Sequence, residues 1–134
     1  MSKTILITGT SFRLSKSIAK ALSSEGHSIV MLMTSTNPEE NVADKKKLES
    51  LPNIECIELS SNNTTSYILA VNKIIGLYDH IDIVINHLSF SGFGTLEFSD
   101  IQEMKHVHDE TLWRSARIYK AVLPHMRKKA SGTV

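Results

Sequence analysis

A single cysteine, Cys56, leaves this 134-residue chain without an intrachain disulfide. Charge of one sign is also missing: fifteen Lys+Arg face fourteen Asp+Glu, a formal net charge of +1. That balance lacks the basic field on which general nucleic-acid binding relies. Long apolar runs are absent as well. Stretches such as Ile29 to Met33 and Ile81 to Ile85 hold about five residues, where a membrane-spanning helix needs about 20. No charged leader with an apolar stretch and small-residue cleavage site opens the chain, which points to a cytoplasmic protein. No Gly-x-Ser-x-Gly elbow occurs, and Cys56 has no basic sequence neighbour to lower its pKa, so nucleophilic catalysis finds no support. What remains, 41% hydrophobic and 22% charged, is an ordinary globular mixture, read as one domain over residues 1–134 with no repeat or linker.

Short runs rich in Ile and Val alternate with segments of helical period, the pattern of stacked βαβ units around a parallel sheet. Lys3 to Thr8 predicts the first strand; its Ile5, Leu6 and Ile7 are contiguous, as in a central strand covered on both faces. After Gly9, the apolar Leu14, Ile18, Ala21 and Leu22 mark a helix that Gly26 stops. Ile29 to Met33 reads as strand two. Asn37-Pro38 opens a polar stretch to Ser50, read as a short surface helix with Lys45, Lys46 and Lys47 solvated. Ile54 to Leu59 predicts a half-exposed or edge strand, and Ser60 to Ser66 a polar loop. Tyr67, Val71, Ile74, Ile75 and Tyr78 line one face of a helix ending near Asp79. Ile81 to Asn86 is strand four and Ser89 to Thr95 a loop. Leu112, Ala116, Tyr119, Leu123 and Met126 belong to a long last helix, in which Pro124 predicts a kink or break.

A strand, a glycine turn and a helix at the start of a chain form a nucleotide-binding opening. The stretch Thr8-Gly9-Thr10-Ser11-Phe12-Arg13-Leu14-Ser15-Lys16-Ser17-Ile18-Ala19 resembles the T-G-x-x-x-G-x-G turn of the short-chain dehydrogenase/reductase superfamily, with Arg13 and Ser15 in place of the second and third glycines. Ile81-Asp82-Ile83-Val84-Ile85-Asn86-His87-Leu88-Ser89 resembles the same family's L-D-x-L-V-N-N-A-G, departing at His87, Leu88 and Ser89. Lys120-Ala121-Val122-Leu123-Pro124-His125-Met126 is similar to the end of its fifth helix. Three motifs in order are far more specific than any one. The resemblance implies a Rossmann-like three-layer α/β fold with strand order 3-2-1-4. It covers the first half of a family member and stops at Gly132-Thr133-Val134, where the fifth strand begins.

The same resemblance implies an oxidoreductase lineage that binds NADP(H) or NAD(H), with Gly9, Ser11, Arg13, Leu14, Ser35, Ser60 and Asn86 as cofactor-binding candidates. Gly9 supplies the tight turn; Arg13 brings a guanidinium that can seek a phosphate where a glycine would expose backbone. The pteridine reductases show a similar T-G-x-x-x-R-x-G pattern, which tilts the reading toward NADPH. After strand two, however, Met33, Thr34, Ser35 and Thr36 carry neither the acidic residue that selects NAD nor the basic one that selects NADP. Asn86 is implied to hold strand four to its neighbour, near the cofactor. The family's catalytic Ser and its Tyr-x-x-x-Lys pair have no counterpart: Tyr67 meets Val71, Tyr78 meets Asp82 and Tyr119 meets Leu123. Thr111 falls on the family's catalytic Asn and cannot reproduce an amide.

Other patterns are weaker. Glu103 and His106, followed by His108 and Asp109, lack the second Glu-x-x-His of a helical di-metal site and read as solvated residues, not metal ligands. From Arg114 to the end there are six basic residues and no acidic one, complementing a helix C-terminus. Two readings stand: a reductase part that needs catalytic groups from elsewhere, or a non-catalytic interaction or regulatory module built on a truncated Rossmann fold. Strand four, with its apolar Ile81 to Ile85, would be an edge, so a homo-oligomer or a partner chain covering it is expected.

Overall fold

The computed structural model describes residues 1–9, 12–34, 38–87 and 94–134. Four strands, β1 (Thr4–Gly9), β2 (Ser28–Met33), β3 (Ile54–Glu58) and β4 (Ile83–His87), form one parallel sheet in the order β3-β2-β1-β4. Helices α1 (Phe12–Ser24), α2 (Pro38–Glu49) and α3 (Thr64–Tyr78) make the crossovers, and a helical arm, α4 (Ile101–His108), leads into α5 (Arg114–Lys129). The architecture is the one the sequence implies. Contiguous apolar runs arise because each central strand faces a core on both sides. Leu6, Val30, Leu32 and Ile57 pack with Tyr67, Ile74, Ile118 and Val122 from α3 and α5. Ile5, Ile7, Ile29, Met31 and Cys56 pack on the other face with Ala19 of α1 and Leu48 of α2.

Helix ends follow local chemistry. Gly26, at φ 85°, ends α1 while its N–H and that of His27 return to the carbonyls of Ser23 and Leu22 at 3.0 and 3.2 Å. Pro38 is the first residue of α2, where its missing N–H costs no helical bond. Asn63 caps α3, its side chain accepting from the Ser66 N–H at 2.9 Å.

Two boundaries differ from the sequence reading. β4 begins at Ile83 and reaches His87, because Ile81 is buried against α3 and α5 and Asp82 makes the junction with β1. The ladder also includes Gly9 at the end of β1. Pro124 lies inside the last helix, as its sequence position implies, and the helix runs on to Lys129; a π-helical turn at Asp109–Trp113 precedes it. Beside β4, the Thr133 carbonyl accepts from the Val84 N–H and its own N–H donates to the Asp82 carbonyl, each at 2.9 Å. The lower end of this edge is thus met by the same chain. Among the described residues no helix is long and apolar enough to cross a membrane.

Asp82 ties this corner together. Its carboxylate accepts the Thr4 N–H at 2.9 Å, and Lys129 and His80 approach it at 3.3 and 3.2 Å. Partial burial pushes the carboxyl up, but the Thr4 amide, Lys129 and His80 outweigh it and hold the group below its ordinary value. A lowered folded-state pKa means stability that is full above the unfolded value and is lost as pH falls through the folded one. Acid titration of the urea midpoint is therefore expected to fall more steeply below about pH 4 in the wild type than in Asp82→Asn. Parallel curves would contradict this role.

Candidate functional site

All four strands run parallel, so their carboxyl ends share one rim, and the candidate residues Gly9, Arg13, Leu14, Ser60 and Asn86 belong to segments that meet there. Ser11 and Ser35 lie outside the described residues, as do Leu88 and Ser89 of the second motif. Strand order reverses at β1: β2 and β3 lie to one side and β4 to the other. Such a switch point opens a crevice outside the strand ends.

Gly9 is required by the tightness of that rim. It pairs with His87 of β4, and a Cβ placed on Gly9 would lie 2.4 Å from the His87 carbonyl oxygen and 3.0 Å from its Cβ. Only glycine fits. Beyond the turn, α1 points its N-terminus at the rim, with Arg13 exposed and Leu14 half exposed on its first turn. Free N–H groups and the helix dipole there favour an anion. Ser15, one position further on, is buried, and among the described residues its hydroxyl has no hydrogen-bond partner.

Asn86 is committed to the protein. Its Oδ1 accepts from the Thr8 hydroxyl of β1, and its amide donates to Ser115 Oγ at 2.8 Å and Tyr119 Oη at 3.4 Å on α5. The Ser115 hydroxyl donates in turn to the Thr111 carbonyl at 2.8 Å. Thr111 sits within the π-helical turn, and its own hydroxyl donates to the Val107 carbonyl at 2.7 Å. One chain of hydrogen bonds thus runs from β1 through β4 to the irregular turn. Thr8 and Asn86 stand at matching register, a signal present in the sequence; Ser115 one helical turn after Thr111 is the other. The Thr111 side chain is turned back on its own helix, where its proton is given to the Val107 carbonyl.

Ser60 follows β3 and shares Ser66 with Ser61, the hydroxyls 2.9 and 2.8 Å away. Next to it, Asn62 donates to Asp109 and Glu110 at 3.2 and 2.8 Å and accepts from Tyr67 at 3.2 Å. Arg117 reaches Asp109 at 2.8 Å, and the buried Arg114 pairs with Glu110. Sequence reading counted Arg114 only as the first of six basic residues toward the end of the chain; the fold encloses it where the β3–α3 turn meets the start of α5. Apart from a nearby carboxylate, nothing local in the sequence marks a charge for burial.

Proton-transfer candidates are few among the described residues. Burial pushes the Tyr67 phenol up to about 12, and burial followed by a hydrogen bond to Glu55 raises Tyr78. Burial and the surrounding glutamates likewise push the Cys56 thiol up to about 12, leaving it a protonated core residue at neutral pH. Glu103, His106 and His108 are exposed on α4, and among the described residues no three metal-binding side chains come together.

Comparison with known proteins bears out the fold. A family model described as short chain dehydrogenase matches residues 3–134. A 3-ketodihydrosphingosine reductase of Bacteroides thetaiotaomicron is 30% identical over 130 residues, covering 97% of this chain and 44% of its own length. Mitochondrial D-beta-hydroxybutyrate dehydrogenase of Mus musculus is 32% identical over 138 residues, covering 98% of this chain and 39% of itself. The chain therefore spans less than half the length of these curated relatives. Among solved structures, an NADH-dependent reductase complexed with NAD superposes with a TM-score of 0.77 at 24% identity over 96% of this chain and 54% of its own. ElxO with NADP bound gives 0.80 at 20% identity over 98% and 53%. At these identities the structures speak for the fold.

Proposed function

Because this chain belongs to the short chain dehydrogenase family, we propose that residues 1–134 are the dinucleotide-holding part of an NAD(P)(H)-dependent oxidoreductase. One observation carries the reading: the Gly9 turn, too tight for any side chain, opens onto the crevice at the strand-order reversal, with the N-terminus of α1 above it. In open parallel sheets that is where a dinucleotide lies, its pyrophosphate at the helix N-terminus. The residues present fit such a group. Gly9 lets the backbone approach, Arg13 brings a mobile cation, and Ser15 contributes a buried hydroxyl without a partner among the described residues. Solved neighbours named for bound NAD and bound NADP support a nicotinamide dinucleotide of either form.

When bound, the dinucleotide supplies or accepts the hydride. Residues 1–134 contribute its binding and orientation, since no tyrosine here is followed four positions later by lysine. Asn86 acts by holding β4 to β1 and α5, so that the rim keeps its shape. We assign the edge of β4 above the Thr133 bridge to a further strand, contributed by more of the same polypeptide, a second copy or a partner chain.

Calorimetric titration with NADPH and with NADH tests the reading. Micromolar binding of one of them is expected, weakened about tenfold or more in Arg13→Ala, the worth of a charge-assisted phosphate contact. A folded wild-type protein that binds neither would overturn the proposal.

A further inference from the structure

None of residues 94–113 is buried, although Leu96, Phe98, Ile101, Leu112 and Trp113 are large and apolar. α4 packs chiefly on the π-helical turn that follows it, Asp109–Trp113. An element that shares no core with the domain takes its direction from the joint that carries it. In that joint the Arg114 N–H returns to the Asp109 carbonyl, five residues back, so the turn holds one residue more than an α-helical one. The ordinary α register is a close alternative, and adopting it would rotate everything before the joint by about 100°. Something must hold the wider turn. Asp109 and Glu110 open it, and both carboxylates are held by Asn62 of the β3–α3 turn, 47 and 48 positions away, whose amide donates to them at 3.2 and 2.8 Å. The Asn62 carbonyl oxygen accepts from Tyr67 Oη at 3.2 Å and from Arg117 at 3.4 Å, so both donors and both acceptor sites of one small amide are used. Arg114 and Arg117 brace the same carboxylates, but from the helical stretch that the turn itself belongs to. Asn62 is the brace that reaches the turn from another element.

We propose that residues 94–113 are a hinged arm, that the π-helical turn is its hinge, and that Asn62 is the positioning residue that latches the hinge in this register. The inference is independent of the cofactor role. Asn62 stands two residues after Ser60, beyond the carboxyl end of β3, whereas the arm follows β4 at the opposite edge of the sheet. The latch therefore spans the rim from one edge strand to the other. Unlatched, the turn is free to take the α register, and the exposed Phe98 and Ile101 would then face another side of the domain. Charge makes the latch selective for an amide: Asn62 offers a hydrogen to each of two carboxylates at once, while a carboxylate of the same shape would face both with a like charge.

The chain carries its own reporter. Trp113, its single tryptophan, sits in the hinge and lines a cleft with Ile101 and Met104 of α4, so its emission follows the arm. The full chain is compared with Asn62→Leu, and with Asp109→Ala at the more exposed end of the same contact should the first fold poorly. Trp113 emission and segment-resolved amide hydrogen exchange are read well below the melting temperature. Exchange over residues 101–113 is expected to quicken about tenfold or more, the worth of one lost hydrogen bond to a charged group. Trp113 emission should shift and its quenching by acrylamide should rise, while exchange in β1, β2 and β4 stays at the wild-type rate. Asn62→Asp, alike in shape but turning an acceptor toward Asp109 and Glu110, should release the arm at least as far. Wild-type exchange over 101–113 in these variants would overturn the latch. So would faster exchange spread evenly over arm and sheet with unchanged Trp113 emission, the mark of a residue that only stabilises the fold.

Discussion

Gly9→Ala is expected to lower the stability of the domain by about 2–4 kcal/mol, the combined cost of overpacking and a strained backbone. The added methyl would sit 2.4 Å from the His87 carbonyl, and that obstacle is backbone, which cannot swing aside as the end of a long side chain can. Relief requires β1 and β4 to part at their carboxyl ends. Parting them pulls Thr8 away from Asn86 and so loosens the link through Ser115 to the π-helical turn. Urea denaturation followed by circular dichroism measures this directly. A midpoint equal to wild type would mean that the rim is looser than the register Gly9–His87 implies. Because the same turn forms the floor of the crevice, dinucleotide binding should be lost along with the stability.

A second large effect concerns charge in the interior. Arg114 is 2% exposed, its Nη2 paired with Glu110, while Nε and Nη1 have no partner among the described residues. Glu110→Ala would strand that guanidinium away from water, and removing one member of a buried pair costs about 3–5 kcal/mol. Arg114→Met removes the charge itself and keeps much of the volume. The remaining Glu110 is nearer the surface and still accepts from Asn62 at 2.8 Å, so this change should cost less than about 1 kcal/mol or even stabilise. The expected result is an asymmetry between two halves of one ion pair, read from paired denaturation curves. Equal losses would show that Arg114 is held by something other than Glu110.

Both cases bear on what can be read from a linear chain. The contiguous Ile5-Leu6-Ile7, the glycine stop at Gly26 and the 3.6-residue spacing in α3 were legible because each depends on residues a few positions apart. Family resemblance in three ordered motifs carried the strand order and placed the rim at Gly9 and Asn86. Pro124 was legible too, since a proline inside a helix removes one bond of its ladder, and α5, packed against α3, runs past it to Lys129. The irregularity at Asp109–Trp113 has no local sequence signature. Nor did the sequence show that Asn86 would be taken up by Thr8, Ser115 and Tyr119, because that depends on which face of the sheet its side chain takes and on what waits there.

By itself, then, the sequence determined the alternation of strands and helices, the glycine turn and the family, since propensity, periodicity and turn chemistry act between near neighbours. Only the tertiary structure decided which polar atoms are spent and which are left over. Thr8 meets Asn86 across 78 positions and Asn86 meets Ser115 across 29, and burial, which gives an unpaired donor its cost, is a property of the packed chain rather than of any segment in it.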